Sequence, residues 1–265
     1  MNNSYRITVL MGIYNCAHTI EEALDSLLAQ TYKRFKVVMC DDGSSDNTCE
    51  VVQKYCDQYE NFFLIKNDCN KGLNFTLNHC LEYADTEYVA RMDGDDISLP
   101  KRFEKEIEFL DSHPEYTIVS TPMIYFDEQG DFRIGVQKGE VQKTDFIHGS
   151  PICHAPSMTR TAALKNVGGY AVDERLLRVE DYNLWIRMYA AGYKAYNLSE
   201  PLYKMRDDRN AISRRNWMAR RNEIYAMSTG FRLLGLPWFY QIYALRPFVA
   251  HIVPSWIYML YHRRL

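Results

Sequence analysis

The stretch Arg91-Met92-Asp93-Gly94-Asp95-Asp96 sets three aspartates within four positions, directly after an apolar run. Bunched carboxylates repel one another, and each costs energy to desolvate. Water, a basic side chain or a metal ion must offset that cost. With one residue between them in an extended segment, Asp93 and Asp95 are expected to point the same way. Two hard oxygen donors on one side suit Mg2+ or Mn2+, which often fill the rest of their shell with substrate phosphates. Gly94 leaves room for a ligand to approach the backbone. The plainer alternative is a solvated acidic turn, with Asp96 supporting the turn into the helix near Pro100.

Other candidate groups each carry two readings. Asp42, in DDGSSDNT, offers an acceptor to a base N–H or a ribose hydroxyl, or it closes its own loop as an Asx-turn. Tyr14 offers an aromatic face to a base, or packs in the core. Lys71 meets a phosphate, or is simply solvated. Glu180 and Asp181 open a helix, where acids are favoured in any case. Alternatively one of them is a general base, which must reach its proton and stay ionised. Arg206 and Arg209 clamp a diphosphate through paired donors, or pair with Asp207 and Asp208 between them. His154, in a Pro-bounded loop, is either structural or on the side of an acceptor.

The elements that must position these groups alternate. ITVLMGI (7–13), FKVVMC (35–40), FFLIKN (62–67), YVARM (88–92) and TIVSTPMIYF (117–126) read as strands, the first buried on both faces. Between them lie a helix opened by a capping box at Thr19-Ile20-Glu21-Glu22, the helix CEVVQKY, the helix LNFTLNHCLEYA after the break NKG, and KRFEKEIEFL after Pro100. Strands alternating with helices imply an α/β fold, a mostly parallel central sheet with helices on both faces. In such sheets ligands bind beyond the carboxyl ends of the strands. Tyr14, Asp42 and the Asp93–Asp96 cluster all fall there. Residues 127–160 read as loops and short strands. A helix is expected over Tyr182 to Ala191, ending at Gly192, and then a strand, a turn and a strand over 193–206.

Composition sets the outer bounds. The chain has 265 residues, 47% hydrophobic and 25% charged, enough for one large domain with a real core. Seven cysteines, an odd number without CxxC spacing, imply reduced and mostly buried thiols rather than zinc or a disulfide framework. Met1 to Arg6 leads straight into the first strand, so no signal peptide is expected and the location is read as cytoplasmic. No apolar run is long enough for a spanning helix. Charge is uneven: residues 1–200 hold 20 Lys+Arg against 31 Asp+Glu, and residues 201–265 hold 11 against 3. An acidic body with a basic tail suggests that the tail meets something anionic.

These stretches together resemble the family-2 glycosyltransferases with the GT-A fold. The matching segments are ITVLMGIYN with AHTIEEALDSLLAQTY, FKVVMCDDGSSDNT, NKGLNFTLN, YVARMDGDDISLPKRFEKEIEFL, HAPSMTRTAALKNVGGY and VEDYNLWIRMYAAGYKAYNLSEPLYKMR, in family order over roughly residues 5–206. After NKG the chain departs from the pattern, with FTLN where ARN is frequent. The resemblance implies a nucleotide-sugar donor, usually UDP-linked, and a divalent cation. Tyr14 and Asp42 match positions that contact the base. Asp93 and Asp95 match the DxD, with Asp95 preferred as the direct metal ligand. Asp181, rather than Glu180, matches the catalytic base. The family inverts the anomeric centre by direct displacement, so an α-linked donor gives a β-linked product. A nucleotidyltransferase would normally show a Gly-rich loop after the first strand, and YNCAHT has none. A non-catalytic sugar-nucleotide binder should have lost the DxD or the Glu-Asp pair, and both are intact.

Residues 1–210 are therefore expected to form the catalytic domain, with the nucleotide-sugar half over about 1–100 and the acceptor half over about 101–210. Residues 211–265 form a basic, aromatic helical tail, with Arg214-Arg215 and Arg220-Arg221 ahead of Phe231, Trp238, Phe239 and Ile242. Such helices suit a peripheral contact on the inner face of the cell membrane, or packing on the domain or in a homodimer. Nucleic acid is not expected, because no recognition motif is present and the body is acidic. The resemblance and the tail together imply surface-polysaccharide synthesis on a saccharide acceptor, expected to be lipid-linked.

Overall fold

The computed structural model describes residues 5–207 and 217–252. Arg209, Arg214 and Arg215, and the second apolar run of the tail beyond Ile252, lie outside the described residues.

The chain begins β1 (Ile7–Ile13), α1 (Ile20–Leu28), β2 (Phe35–Asp41), α2 (Thr48–Gln58), β3 (Phe62–Lys66), α3 (Leu73–Glu82) and β4 (Tyr88–Arg91). β5 (Ile97–Ser98), α4 (Arg102–Ser112), β6 (Ile118–Ser120), β7 (Met123–Asp127), β8 (Gly130–Ile134) and β9 (Gly139–Glu140) follow. After a 3-10 turn at Lys143–His148 come β10 (Met158–Arg160), α5 (Thr161–Asn166), α6 (Glu180–Ala190), β11 (Ala195–Asn197) and β12 (Tyr203–Arg206). The tail contributes α7 (Trp217–Leu233), a 3-10 segment (Trp238–Leu245) and α8 (Arg246–Ile252).

The main sheet runs β3-β2-β1-β4-β10-β6-β11-β9, and its first four strands are parallel. β10 enters antiparallel between β4 and β6. Alternate residues of a strand face opposite sides, and β1 is apolar on both. Leu10 joins α3, α6 and α7 in one core cluster, while Val9, Met11 and Ile13 join α1, α2 and α4 in the other. Helices therefore cover both faces, as the continuous apolar runs require.

Two expectations need correction. The strand over 117–126 is two strands in two sheets, for β6 lies in the main sheet and β7 in a smaller one, β5-β12-β7-β8. Pro122 has no N–H to continue a ladder, and Thr121 Oγ1 instead accepts the Leu202 amide at 3.1 Å. The strand, turn and strand expected over 193–206 are present as β11 and β12, and these too are divided between the two sheets. At Thr19 no capping bond forms; its hydroxyl donates to the Gly94 carbonyl at 3.0 Å, tying the start of α1 to the aspartate turn. All seven cysteines are unpaired.

Candidate active site

The ends of β1, β2 and β4 deliver Tyr14, Asp42 and Asp93 to one edge of the sheet. Tyr14 is 51% exposed, so core packing is not its role. Asp42 is buried and accepts the Asn67 side-chain amide and the Lys71 and Gly72 backbone amides, each at 2.8 Å. These bonds reach a distant segment rather than closing its own loop as an Asx-turn, and the carboxylate fixes the stretch that leads into α3. Lys71 is exposed, with its ammonium 4.6 Å from the centre of the Phe75 ring.

Gly94 and Asp95 form a turn, so the alternation expected of an extended segment does not set where Asp93 and Asp95 point. A Cβ on Gly94 would stand 3.0 Å from Cys16 Sγ and 3.3 Å from Ile20 Cδ1, so any larger residue would have to push these side chains aside. Asp93 pairs with Arg91, and its amide donates to the Tyr203 hydroxyl at 3.2 Å. Asp95 reaches solvent, yet the protein crowding it and the charge of Asp93 push its pKa up. Asp96 does not support the turn toward Pro100. It is buried and accepts the Arg206 amide at 2.8 Å, and burial, then Asp93 and Asp95, hold its pKa well up.

Arg206 is drawn to that turn rather than to Asp207. Its Nε donates to the Asp95 carbonyl at 3.0 Å and its Nη2 pairs with Glu22 of α1. Asp207 instead lies 3.9 Å from Arg133.

The start of α6 brings up the second pair of acids. Burial raises the pKa of both Glu180 and Asp181. Asp181 is relieved by the Tyr182 amide, by Arg91 and by the Ser150 hydroxyl. Glu180 Oε2 is buried without a hydrogen-bond partner. Glu180 and Lys71 line one cleft of about 200 Å³ with Asn74 and Asp173. His154 Nε2 lies 2.9 Å from the Tyr170 hydroxyl, and burial and then Arg91 push its pKa well down, which favours the neutral imidazole.

Arg91 is the residue that sequence reasoning missed. It is 4% exposed at the end of β4, and its charge is felt by Asp95, Glu180 and Asp181 alike. Burial opposes its charge, but Asp93 more than restores it. Its signal was present: a charged residue closing a buried strand needs a partner. Arg91 thus joins the Asp93–Asp96 turn to the Glu180–Asp181 helix start, which lie far apart in sequence. Among the described residues no three His, Cys, Asp or Glu side chains form a ready metal cage.

The model of glycosyl transferase family 2 matches residues 8–168. The chain belongs to glycosyl transferase family 2. This glycosyltransferase is 37% identical over 265 residues to the putative glycosyltransferase EpsE of Bacillus subtilis, covering all of this chain and 95% of that one. It is 27% identical over 191 residues to the Escherichia coli UDP-Glc:alpha-D-GlcNAc-diphosphoundecaprenol beta-1,3-glucosyltransferase WfaP, covering 72% of this chain and 73% of the relative. S. aureus TarS has a similar GT-A fold, with TM-score 0.70 and 22% identity over 92% of this chain and 70% of the TarS fragment. The fold of the Pyrobaculum calidifontis mannosyltransferase PcManGT, solved with GDP-Man and Mn2+, is similar as well: TM-score 0.63, 19% identity, 98% of this chain and 80% of that one.

Proposed function

We propose that this glycosyltransferase moves a sugar from a UDP-sugar to a lipid-linked saccharide, with inversion, in the synthesis of a surface polysaccharide. The observation that carries this reading is the meeting of two acidic groups at one buried arginine. The charge of Arg91 favours the ionised form of both Asp95 and Asp181. A donor diphosphate belongs at the first, and an acceptor hydroxyl at the second.

Asp181 takes the proton of the acceptor hydroxyl as that oxygen attacks the anomeric carbon. The bond from that carbon to the diphosphate breaks in the same displacement, and the nucleoside diphosphate leaves. Attack from the opposite face turns an α-linked donor into a β-linked product, without a covalent enzyme intermediate. Glu180, unpartnered at one oxygen, accepts a sugar hydroxyl in the cleft. Tyr14 and Asp42 border the base, and Lys71 and Arg206 face the phosphates. Asp95 and Asp93 fit a divalent cation, because each raises the cost of charge at the turn and a dication relieves it. Held there, Mn2+ or Mg2+ would neutralise charge on the departing diphosphate. WfaP carries the lipid diphosphate in its name, which supports the acceptor class.

Residues 1–210 act as the catalytic unit, and the tail brings it to the inner face of the membrane. Trp238, Phe239, Ile242 and Phe248 are exposed beside Arg246, with Trp238 at 85% and Ile242 at 68%. Apolar side chains beside arginines suit an anionic lipid surface. No helix among the described residues is long and apolar enough to cross a membrane.

A thermal-shift screen of nucleotide sugars, with and without Mn2+, tests the donor. A UDP-sugar should raise the melting temperature, and more so with metal. Stabilisation by no UDP-sugar would remove the donor assignment. Trp238→Ser with Ile242→Ser should release the protein from anionic vesicles, whereas undiminished sedimentation with them would defeat the membrane reading.

A further inference from the structure

The tail does more than end the chain. Its first helix, α7, grips the segment that carries Glu180 and Asp181 from behind. Asn222 of α7 is 2% exposed. Its Nδ2 donates to the Glu174 and Leu177 carbonyls, each at 3.2 Å. Those two carbonyls bracket a 3-10 turn at Glu174–Leu176. Leaving the turn, Arg178 has φ +69, and Val179 and Glu180 follow directly. A left-handed non-glycine residue persists only where its surroundings fix it. One turn along α7 from Asn222, the Tyr225 ring lies 4.6 Å from the Arg175 guanidinium. Residues three apart share a helix face, so Asn222 and Tyr225 hold the same turn. Further on, Gly230 lets α7 lie directly against α6. A Cβ there would stand 2.4 Å from Ile186 Cδ1. Both the turn that enters α6 and the body of α6 are therefore set by α7.

We propose that Asn222 is a positioning residue for the catalytic base, with α7 as the strut that holds the start of α6 and with it Asp181. The proposal rests on the reading of Asp181 as the base. Asn222 touches neither donor nor acceptor. Its amide fixes the exit geometry of the 174–177 turn, and that geometry fixes where α6 begins. Without the amide two carbonyls lose their donor, and the left-handed Arg178 loses its restraint.

The test uses the full chain with Asn222→Leu, which keeps the volume and removes the donor. Hydrogen exchange over residues 173–181 should quicken about tenfold, with β1 to β4 unchanged. In transfer assays kcat should fall about 10- to 100-fold, because small misplacements of a reacting group are costly. UDP binding should stay within about twofold. Unchanged exchange over 173–181 overturns the proposal, and so does unchanged kcat. A fall in kcat matched by an equal loss of UDP binding also overturns it. If Asn222→Leu does not fold, Arg175→Met tests the same grip from the solvent side. It should quicken the same amides and lower kcat less, and no effect on either overturns the proposal. Exchange needs no substrate, so the two readings fail separately. Altered exchange together with full turnover by Asp181→Asn would sink the base assignment and leave the strut standing.

Discussion

The turn at Asp93–Asp96 and the helix start at Glu180–Asp181 bring carboxylates to the same arginine, but their surroundings differ. The turn is tied on every side. Asp93 pairs with Arg91, Asp96 accepts the Arg206 amide, and the Gly94 and Asp95 carbonyls accept Thr19 and Arg206. The helix start is sparsely tied. The charge of Asp181 is eased by the Tyr182 amide, by Arg91 and by Ser150, and Glu180 Oε2 meets no donor. A group that must hold a fixed charge gains from rigid partners. A group that must accept a proton loses basicity with every strong donor aimed at it. The same residue type therefore suits two tasks, and the neighbours separate them.

The sharpest way to break this comparison is to neutralise the sparsely tied side. Asp181→Asn should lower kcat by about 10²- to 10⁴-fold, with UDP binding intact by calorimetry. Glu180→Gln should cost less, about tenfold, and mostly in KM. The reverse order would move the base to Glu180 and the sugar contact to Asp181.

Next in size is the tied side. Asp95→Ala should lower kcat/KM by about 10²- to 10³-fold. It should also abolish any strengthening of UDP binding by Mn2+, and chelation of divalent ions should reproduce that loss in the unaltered chain. An Asp95→Ala protein that still binds UDP more tightly with Mn2+ would show that the turn is not the metal site.

The pH profile sharpens the contrast at a smaller amplitude. Burial raises the folded-state pKa of Asp181. A base acts only when deprotonated, so activity should rise as pH climbs through that raised value and level off above it. The acid limb should therefore lie higher than for an ordinary aspartate. Removing the Ser150 hydroxyl takes away a donor that favours the charged form, so Ser150→Ala should move the limb further up. A limb that moves down with Ser150→Ala would exclude Asp181 as its source.

Much of this was legible in the sequence, and for a physical reason. The strands at 7–13 and 35–40 are buried on both faces and the edge strand at 62–67 on one end only, yet all three apolar runs stand out against polar turns, and the observed strands match within a residue. The sequence also pointed to the cluster at 93–96, since bunched charge after a buried strand needs an explanation. The rest depended on contacts between distant residues. Whether 117–126 is one strand or two was decided by Leu202 meeting Thr121. Whether Arg206 meets Asp207 or Glu22 was decided by where β12 lies against α1. The tail showed only its composition, but Ala226, Met227 and Phe231 lie in the same core cluster as Trp185 of α6. No local pattern encodes such pairings.

The smallest effect is expected at Arg206, the residue that most directly ties down the turn. Two roles compete there. As a tie between Asp95 and Glu22, it holds the turn in place. As a phosphate ligand, it must leave Glu22 when the donor binds. An exposed ion pair contributes only about 0–1 kcal/mol, so exchanging Glu22 for a diphosphate costs little, and the diphosphate offers Arg206 more acceptor oxygens. The two roles differ in what Glu22 should do. Arg206→Ala should weaken UDP binding about tenfold under either. Glu22→Gln removes the competing carboxylate, so under the phosphate role it should leave UDP binding within about twofold, or tighten it. Weakening by Glu22→Gln as large as that by Arg206→Ala would show that Arg206 serves the turn alone. The Asp93–Asp96 side would then be a fully fixed scaffold, and its difference from the Glu180–Asp181 side would be larger still.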